Sequence, residues 1–154
     1  MQELAGGREK KMLGLLQNKK IKIGLVVAQF NSEITSVMQR AAEQHAREKS
    51  VQVISVIKVP GAYDIPIAVQ RLLRQKDIHA VIALGAIIKG ETDHDAVIAH
   101  STAKTLQELS LQYNKPVTLG IAGPGMTWKQ ADARKEEYGR RAVDAAIALV
   151  GVLK

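Results

Sequence analysis

Between Leu84 and His100 the chain reads LGAIIKGETDHDAVIAH. An apolar run stops at Lys89-Gly90, and Glu91, Thr92, Asp93, His94 and Asp95 follow together. Gly90 lets a ligand come close to the backbone. If a helix begins here, the N–H groups of Glu91, Thr92 and Asp93 are unpaired, with the positive end of the helix dipole behind them. That arrangement suits an anion. Thr92 adds a hydroxyl, and His94, two residues on, can serve as a proton donor or acceptor for whatever the loop holds. The same residues also read as a well-capped helix, with Thr92 as cap and Asp95 three residues later in a capping box. Acids in a first helical turn contribute about 0.3–1 kcal/mol each without any ligand. A metal site on Asp93, His94, Asp95 and His100 is disfavoured, because the first three diverge around a helix and no HExxH spacing occurs.

Other residues with chemical potential lie at comparable points. Phe30 is the single phenylalanine and stands just before Asn31, a residue suited to capping a helix. Its ring reads either as a staple over the helix start or as a flat face for a heterocycle. Asp64, in VPGAYDIP, reads either as a helix cap or as a carboxylate for substrate hydroxyls. Arg134 and Arg141 lie two turns apart near the carboxyl end, where they are solvated or reach an anion. No GxSxG elbow and no Walker loop is present, and no GxGxxG follows the first apolar run.

These positions need a scaffold, and the chain alternates in a way that supplies one. Short apolar, β-branched runs at 21–29, 51–59, 79–88 and 115–122 read as strands. Ile34, Val37, Met38, Ala41, Ala42 and His45 mark a helix face after the first. Pro66 fits the first turn of the next helix. A third helix is predicted from about Thr92 to Tyr113, with Ala99, Ala103, Leu106 and Leu109 on one side. The GPG of 123–125 reads as a loop, and a last helix from about Thr127 buries Tyr138, Ala142, Ala145, Ala146, Leu149 and Leu153. Strand–helix alternation with short connections predicts right-handed crossovers and a single three-layer α/β/α domain. Its core would be a four-stranded parallel, flavodoxin-like sheet. Ligands of such sheets bind outside the carboxyl ends of the strands, where the residues singled out above all fall.

The 154 residues suffice for one domain with a sizeable core. There is no cysteine, which excludes disulfides and thiolate metal sites and fits a cytoplasmic protein. No apolar run approaches the ~20 residues of a membrane span, and the first twenty lack the apolar centre of a signal peptide. Of the formal charge of +7, six Lys or Arg against two Glu in residues 1–22 supply +4. Residues 1–20 are therefore expected to be a basic extension, and 21–154 the domain. Without interleaved aromatics the extension reads as solvated or contacting its own assembly, with no nucleic acid and no membrane as partner.

Taken in order, AQFN-x₂-IT (28–35), VPGAYDIP (59–66), ALGAIIKGETDHD (83–95), LQYNKPVTLGIAGPGMT (111–127) and QADAR (130–134) resemble the lumazine synthase family of riboflavin biosynthesis, in its archaeal type. The resemblance covers residues 21 to about 150. It implies a condensation, with no cofactor and no metal, of 5-amino-6-(D-ribitylamino)uracil with 3,4-dihydroxy-2-butanone 4-phosphate. Phe30 would stack on the pyrimidine ring, Ala62, Tyr63 and Asp64 would hold the ribityl chain, and the backbone of Ala86, Ile87 and Ile88 would read the pyrimidinedione edge. Glu91 and Thr92 with the helix start would hold the phosphate, Arg134 would pair with it, and His94 would shuttle protons. Leu119 stands where bacterial members usually carry a Phe that reaches in from a neighbouring subunit. Family members form pentamers, in some cases sixty-subunit shells, and riboflavin synthase is a further partner implied. Two other readings share the fold: archaeal riboflavin synthase, against which Phe30-Asn31 and the intact Gly90–His94 loop speak, and a shell-forming or flavin-binding homologue without activity.

Overall fold

The computed structural model describes residues 20–154, together with Gly7. The expected basic extension therefore lies outside the described residues, except at Gly7 and Lys20. The apolar runs form the strands β1 (Lys22–Ala28), β2 (Gln52–Val59), β3 (Ala80–Ile88) and β4 (Val117–Met126). The helices are α1 (Ser32–Glu48), α2 (Ile65–Leu73), α3 (His94–Tyr113) and α4 (Trp128–Val152), with a single 3₁₀ turn at Ala62–Asp64 before α2. All strand pairs are parallel, in the order β2-β1-β3-β4. β1 and β3 are buried on both faces, which is why their sequences are continuously apolar rather than alternating.

Two helical layers cover the sheet. On one face Ile34, Met38 and Ala42 of α1 meet Ala142, Val143 and Ala146 of α4 over Leu25, Ile82 and Leu84. On the other, Val69 and Leu72 of α2 and Leu106 and Leu109 of α3 pack over Val26, Val81 and Ala83. This is the expected three-layer arrangement. Among the described residues no helix is long and apolar enough to cross a membrane.

Two expectations are corrected. The buried stripe of α4 runs through Ala131, Gly139, Ala142, Val143, Ala146 and Val150, while Ala145, Leu149 and Leu153 are exposed. Gly139 fixes this rotation: a Cβ there would collide with the Met38 carbonyl oxygen, so the α4 backbone rides directly on α1 at that point. The GPG segment, in turn, is not a loop. β4 continues through it to Met126, which pairs with Ile88, and Lys89 N–H donates to the Met126 carbonyl at 2.8 Å. Between the pairs Ala86↔Ala122 and Ile88↔Met126, three residues of β4 face Ile87 alone, so the strand bulges. Gly123, at φ 105°, lies so close to Ile87 that an added Cβ would overlap its carbonyl.

At the opposite end of the sheet His79 latches β3 to β1. Lys22 N–H donates to His79 Nδ1 at 2.8 Å, and His79 N–H donates to the Lys22 carbonyl at 2.8 Å. The residue is exposed overall, but partial burial of the ring, followed by the nearby charges of Lys115, Lys154 and Lys22, lowers its pKa from the ordinary 6.5, with Asp77 opposing. Protonation would also turn Nδ1 from an acceptor into a donor. Because the folded pKa lies below the unfolded one, the unfolded chain takes up the proton first. The stability is then complete above 6.5 and is lost as pH falls through the lower folded value. Thermal melting between pH 7.5 and pH 5 is expected to show a smaller loss of stability in His79→Ala than in the parent protein.

Candidate active site

From β1 the chain runs outward to β2, then crosses back to β3 on the other side of β1. Where the two crossovers part, the carboxyl ends of β1 and β3 leave a crevice, the usual ligand position in such sheets. A cleft of about 320 Å³ lies there. Phe30 and Asn31 line it from the end of β1, Gly61, Ala62 and Tyr63 from the turn after β2, and Ala86, Ile87 and Ile88 from β3. Gly90, Thr92, His94, Asp95 and Ile98 complete the lining from the start of α3.

The aromatic side chains are open. Phe30 is 72% exposed and Tyr63 69%, so Phe30 does not fold over α1 as a staple would. Its backbone is nevertheless fixed, since Phe30 N–H donates to the Pro60 carbonyl at 2.9 Å and ties the first loop to the second. Asn31 precedes α1 in the left-handed region, φ 62° and ψ 46°, and its side chain makes no capping bond. Instead Nδ2 donates to the Ala86 carbonyl at 2.8 Å. One of the backbone groups expected to read a heterocycle is thus already engaged, and the bulge leaves Ile87 outside the ladder beside it.

Asp64 lies outside the cleft lining and does not cap α2 with its side chain. Its Oδ2 accepts the Gly61 N–H at 3.0 Å, and its own N–H donates to the Gly61 carbonyl at 3.0 Å. The carboxylate therefore closes the turn that presents Ala62 and Tyr63.

The capping box expected of Thr92 and Asp95 is not formed. α3 begins at His94, with Asp93 in the cap position and no side-chain cap. Thr92 Oγ1 accepts the His94 N–H at 3.4 Å, and the Asp95 carboxylate accepts the Gly125 N–H at 3.0 Å. Asp95 turns away because the bulge in β4 offers it an N–H that the strand ladder does not use. Val97 is the first N–H of α3 taken by a carbonyl, that of Asp93 at 3.2 Å, so the N–H groups of Asp95 and Ala96 precede the hydrogen-bonded turns. Glu91 is exposed and outside the cleft lining.

Arg134 also lies outside the lining, exposed on the second turn of α4. Of the other cations on α4, Lys135 pairs with Asp132 at 2.6 Å, Arg140 with Glu136 and Arg141 with Glu137, both at 3.5 Å, while Lys129 is exposed. Arg134 has no ion-pair partner among the described residues. Leu119 is half exposed and pairs with Ala83 in mid-strand, far along β4 from this cleft.

A larger hollow of about 520 Å³ runs between α1 and α4, lined by Arg40, His45, Glu48, Lys135, Glu136 and Arg140. Its walls are solvated helix faces of mixed charge, partly neutralised within themselves by pairs such as Arg140–Glu136. The smaller strand-end cleft has mainly apolar walls with a few convergent polar groups, the composition of a ligand site. Among the described residues no three His, Cys, Asp or Glu side chains converge to hold a metal. Sequence reading missed the tie from Asn31 to Ala86 and the one from Asp95 to Gly125, because both join residues 30 or more positions apart.

Residues 20–154 match the family model described as 6,7-dimethyl-8-ribityllumazine synthase. The chain is 53% identical over 135 residues to a protein of that name from Saccharolobus solfataricus, covering 88% of each chain. It is 51% identical over 134 residues to one from Metallosphaera sedula, covering 87% of this chain and 89% of the relative. A third, from Methanococcus aeolicus, is 46% identical over 130 residues, covering 84% of this chain and 95% of the relative.

The Asn31 contact gives a stability test. Asn31→Gly keeps the left-handed backbone and loses the hydrogen bond, which is expected to cost ~0.5–1.5 kcal/mol. Asn31→Ala adds the left-handed penalty of ~1–2 kcal/mol. Urea denaturation should rank the parent, Gly and Ala forms in that order.

Proposed function

The chain belongs to the 6,7-dimethyl-8-ribityllumazine synthase family, and from that premise we propose how its strand-end cleft carries out the condensation. The activity is lumazine synthesis, a step of riboflavin biosynthesis. The substrates are 5-amino-6-(D-ribitylamino)uracil and 3,4-dihydroxy-2-butanone 4-phosphate. The amine attacks the ketone and forms an imine with loss of water. Phosphate leaves from the enolised imine, and the ring closes with loss of a second water.

Phe30 stacks on the pyrimidine ring, and the backbone of Ala86, Ile87 and Ile88 reads the pyrimidinedione edge. Ala62 and Tyr63 hold the ribityl chain, with Asp64 securing their turn and offering its remaining carboxylate oxygen. Thr92, Glu91 through its backbone and the open N–H groups at the start of α3 take the phosphate, with Arg134 as counter-charge. His94 moves the protons that imine formation, enolisation and ring closure require.

One observation carries this reading: Phe30, Ala62, Tyr63, Ala86, Ile87, Ile88, Thr92 and His94 line one cleft at the β1–β3 crevice. The exposed position of Arg134 on the second turn of α4, with no ion-pair partner among the described residues, leaves it available to an anion. The openness of Phe30 and Tyr63 and the half-exposed Leu119 support a site closed by a second copy, in a pentamer or a sixty-subunit shell. A cytoplasmic location and transfer of the product to riboflavin synthase belong to the same proposal. Alignment of two substrates can lower a barrier by ~7–11 kcal/mol, so the cleft can work by orientation with proton transfer added.

The test is to mix the two substrates with purified protein and follow lumazine absorbance. His94→Ala is expected to slow turnover ~10²–10⁴-fold with little change in substrate affinity. Arg134→Ala is expected to raise KM for the phosphate substrate ~10–150-fold, the equivalent of a charge-assisted hydrogen bond of ~1.5–3 kcal/mol. An unchanged KM in Arg134→Ala would remove that residue from the site, and absence of product from the assembled parent would reject the reaction.

A further inference from the structure

Asp95 is the one buried charged side chain among the described residues, with 9% of its surface exposed. It has no cationic partner there, and its Oδ2 takes a single protein hydrogen bond, from Gly125 N–H at 3.0 Å. A carboxylate withdrawn from water without a counter-charge is unfavourable unless something else is gained. The gain lies in what the bond connects. Asp95 follows His94 directly and stands three residues after Thr92, on the cleft wall. Gly125 sits in the β4 bulge, in the left-handed region at φ 73°, one residue before β4 rejoins β3 at Met126. Thr127 and Trp128 then start α4, with Thr127 Oγ1 accepting the Gln130 N–H at 3.2 Å and Gln130 Oε1 accepting the Thr127 N–H at 3.0 Å. The path of the bulge therefore sets where α4 begins, and with it the position of Arg134 on its second turn.

We propose that Asp95 is a positioning residue that clamps the Thr92–His94 loop to the β4 bulge, so that the two halves of the phosphate-holding site keep one spacing. The inference rests on the reading of that site given above. The clamp needs a hydrogen-bond acceptor at this position, not a negative charge. Asparagine supplies an acceptor oxygen of the same reach, whereas alanine supplies none.

The experiment compares the parent, Asp95→Ala and Asp95→Asn as assembled proteins. Steady-state kinetics vary each substrate separately, and hydrogen–deuterium exchange follows the segment 122–127. Misplacement by about an ångström can cost ~10²-fold in rate. Asp95→Ala is expected to raise KM for dihydroxybutanone phosphate about tenfold and to lower kcat/KM ~10–100-fold. KM for ribitylaminouracil is expected to stay within about twofold, since Phe30 and Tyr63 are held by the Pro60 and Asp64 contacts on the β1–β2 side and do not depend on the clamp. Asp95→Ala should also exchange faster at 122–127, and Asp95→Asn should restore both the KM and the slow exchange.

Unchanged KM for the phosphate substrate and unchanged exchange in Asp95→Ala would overturn the clamp. So would an Asp95→Asn protein as impaired as Asp95→Ala, because charge would then be the property that matters. If Asp95→Ala does not fold, the Asn protein and its exchange decide alone. A parent protein without activity would reject the reaction, while the exchange comparison would still judge the clamp.

Discussion

The parallel pairing of β1 with β3, from Ile23↔Ala80 to Val27↔Leu84, is the constraint on which the rest of the molecule depends. β2 lies on the far side of β1 and β4 on the far side of β3, so the connections leaving these two central strands travel in opposite directions. A crevice at their carboxyl ends is the geometric consequence. Burial on both faces holds the pair rigidly. Ile23, Leu25 and Val26 of β1 and Val81, Ile82, Ala83 and Leu84 of β3 are all without solvent contact. The loops at the crevice can then carry polar and strained residues, because the scaffold beneath them does not rely on those residues for its core.

Three tertiary ties turn this crevice into a shaped site. Phe30 N–H to Pro60 joins the first two loops, Asn31 to Ala86 joins the first loop to β3, and Asp95 to Gly125 joins the start of α3 to the β4 bulge. Each satisfies a backbone group that no strand ladder or helix uses, which is the condition for irregular backbone to remain ordered. The side proposed to hold the anion has a distinct electrostatic character. Glu91, Asp93 and Asp95 are acidic and Lys89 is the one cation of the segment 89–95, so under the proposed function the field favouring a phosphate is that of the helix start, with Arg134 as counter-charge. Arg141 is solvated, one of the two expected readings, and in addition pairs with Glu137 on its own helix.

The fold was legible because its signal is local. Four apolar runs of β-branched residues and the amphipathic stripes between them are sequence patterns, and the strands fall within a few residues of where those patterns predict them. What was not legible depended on contacts between distant segments. GPG carries every mark of a turn, yet it continues β4, because the three residues bulge opposite Ile87 and Gly123 can press against the Ile87 carbonyl. The inward face of α4 is set by the close approach of Gly139 to Met38, about a hundred residues away in sequence, which apolar spacing alone does not encode. Asp95 looked like half of a capping box until an unused N–H thirty residues later proved the better partner. At the site, the residue types and the strand-end rule located Phe30, Tyr63, Ile87, Thr92 and His94 in one cleft. Their division of labour came from the resemblance rather than from spacing.

The central claim is that the β1–β3 crevice, and not the larger groove between α1 and α4, binds the heterocyclic substrate. Methyl NMR on isoleucine- and valine-labelled protein, titrated with the lumazine product, tests this most directly. Ile87, Ile88 and Ile98 line the crevice, and Val37 lines the groove. The expected result is saturable shifts of the three isoleucine methyls with Val37 unmoved. Saturable shifts at Val37 with the three isoleucines unmoved would contradict the account.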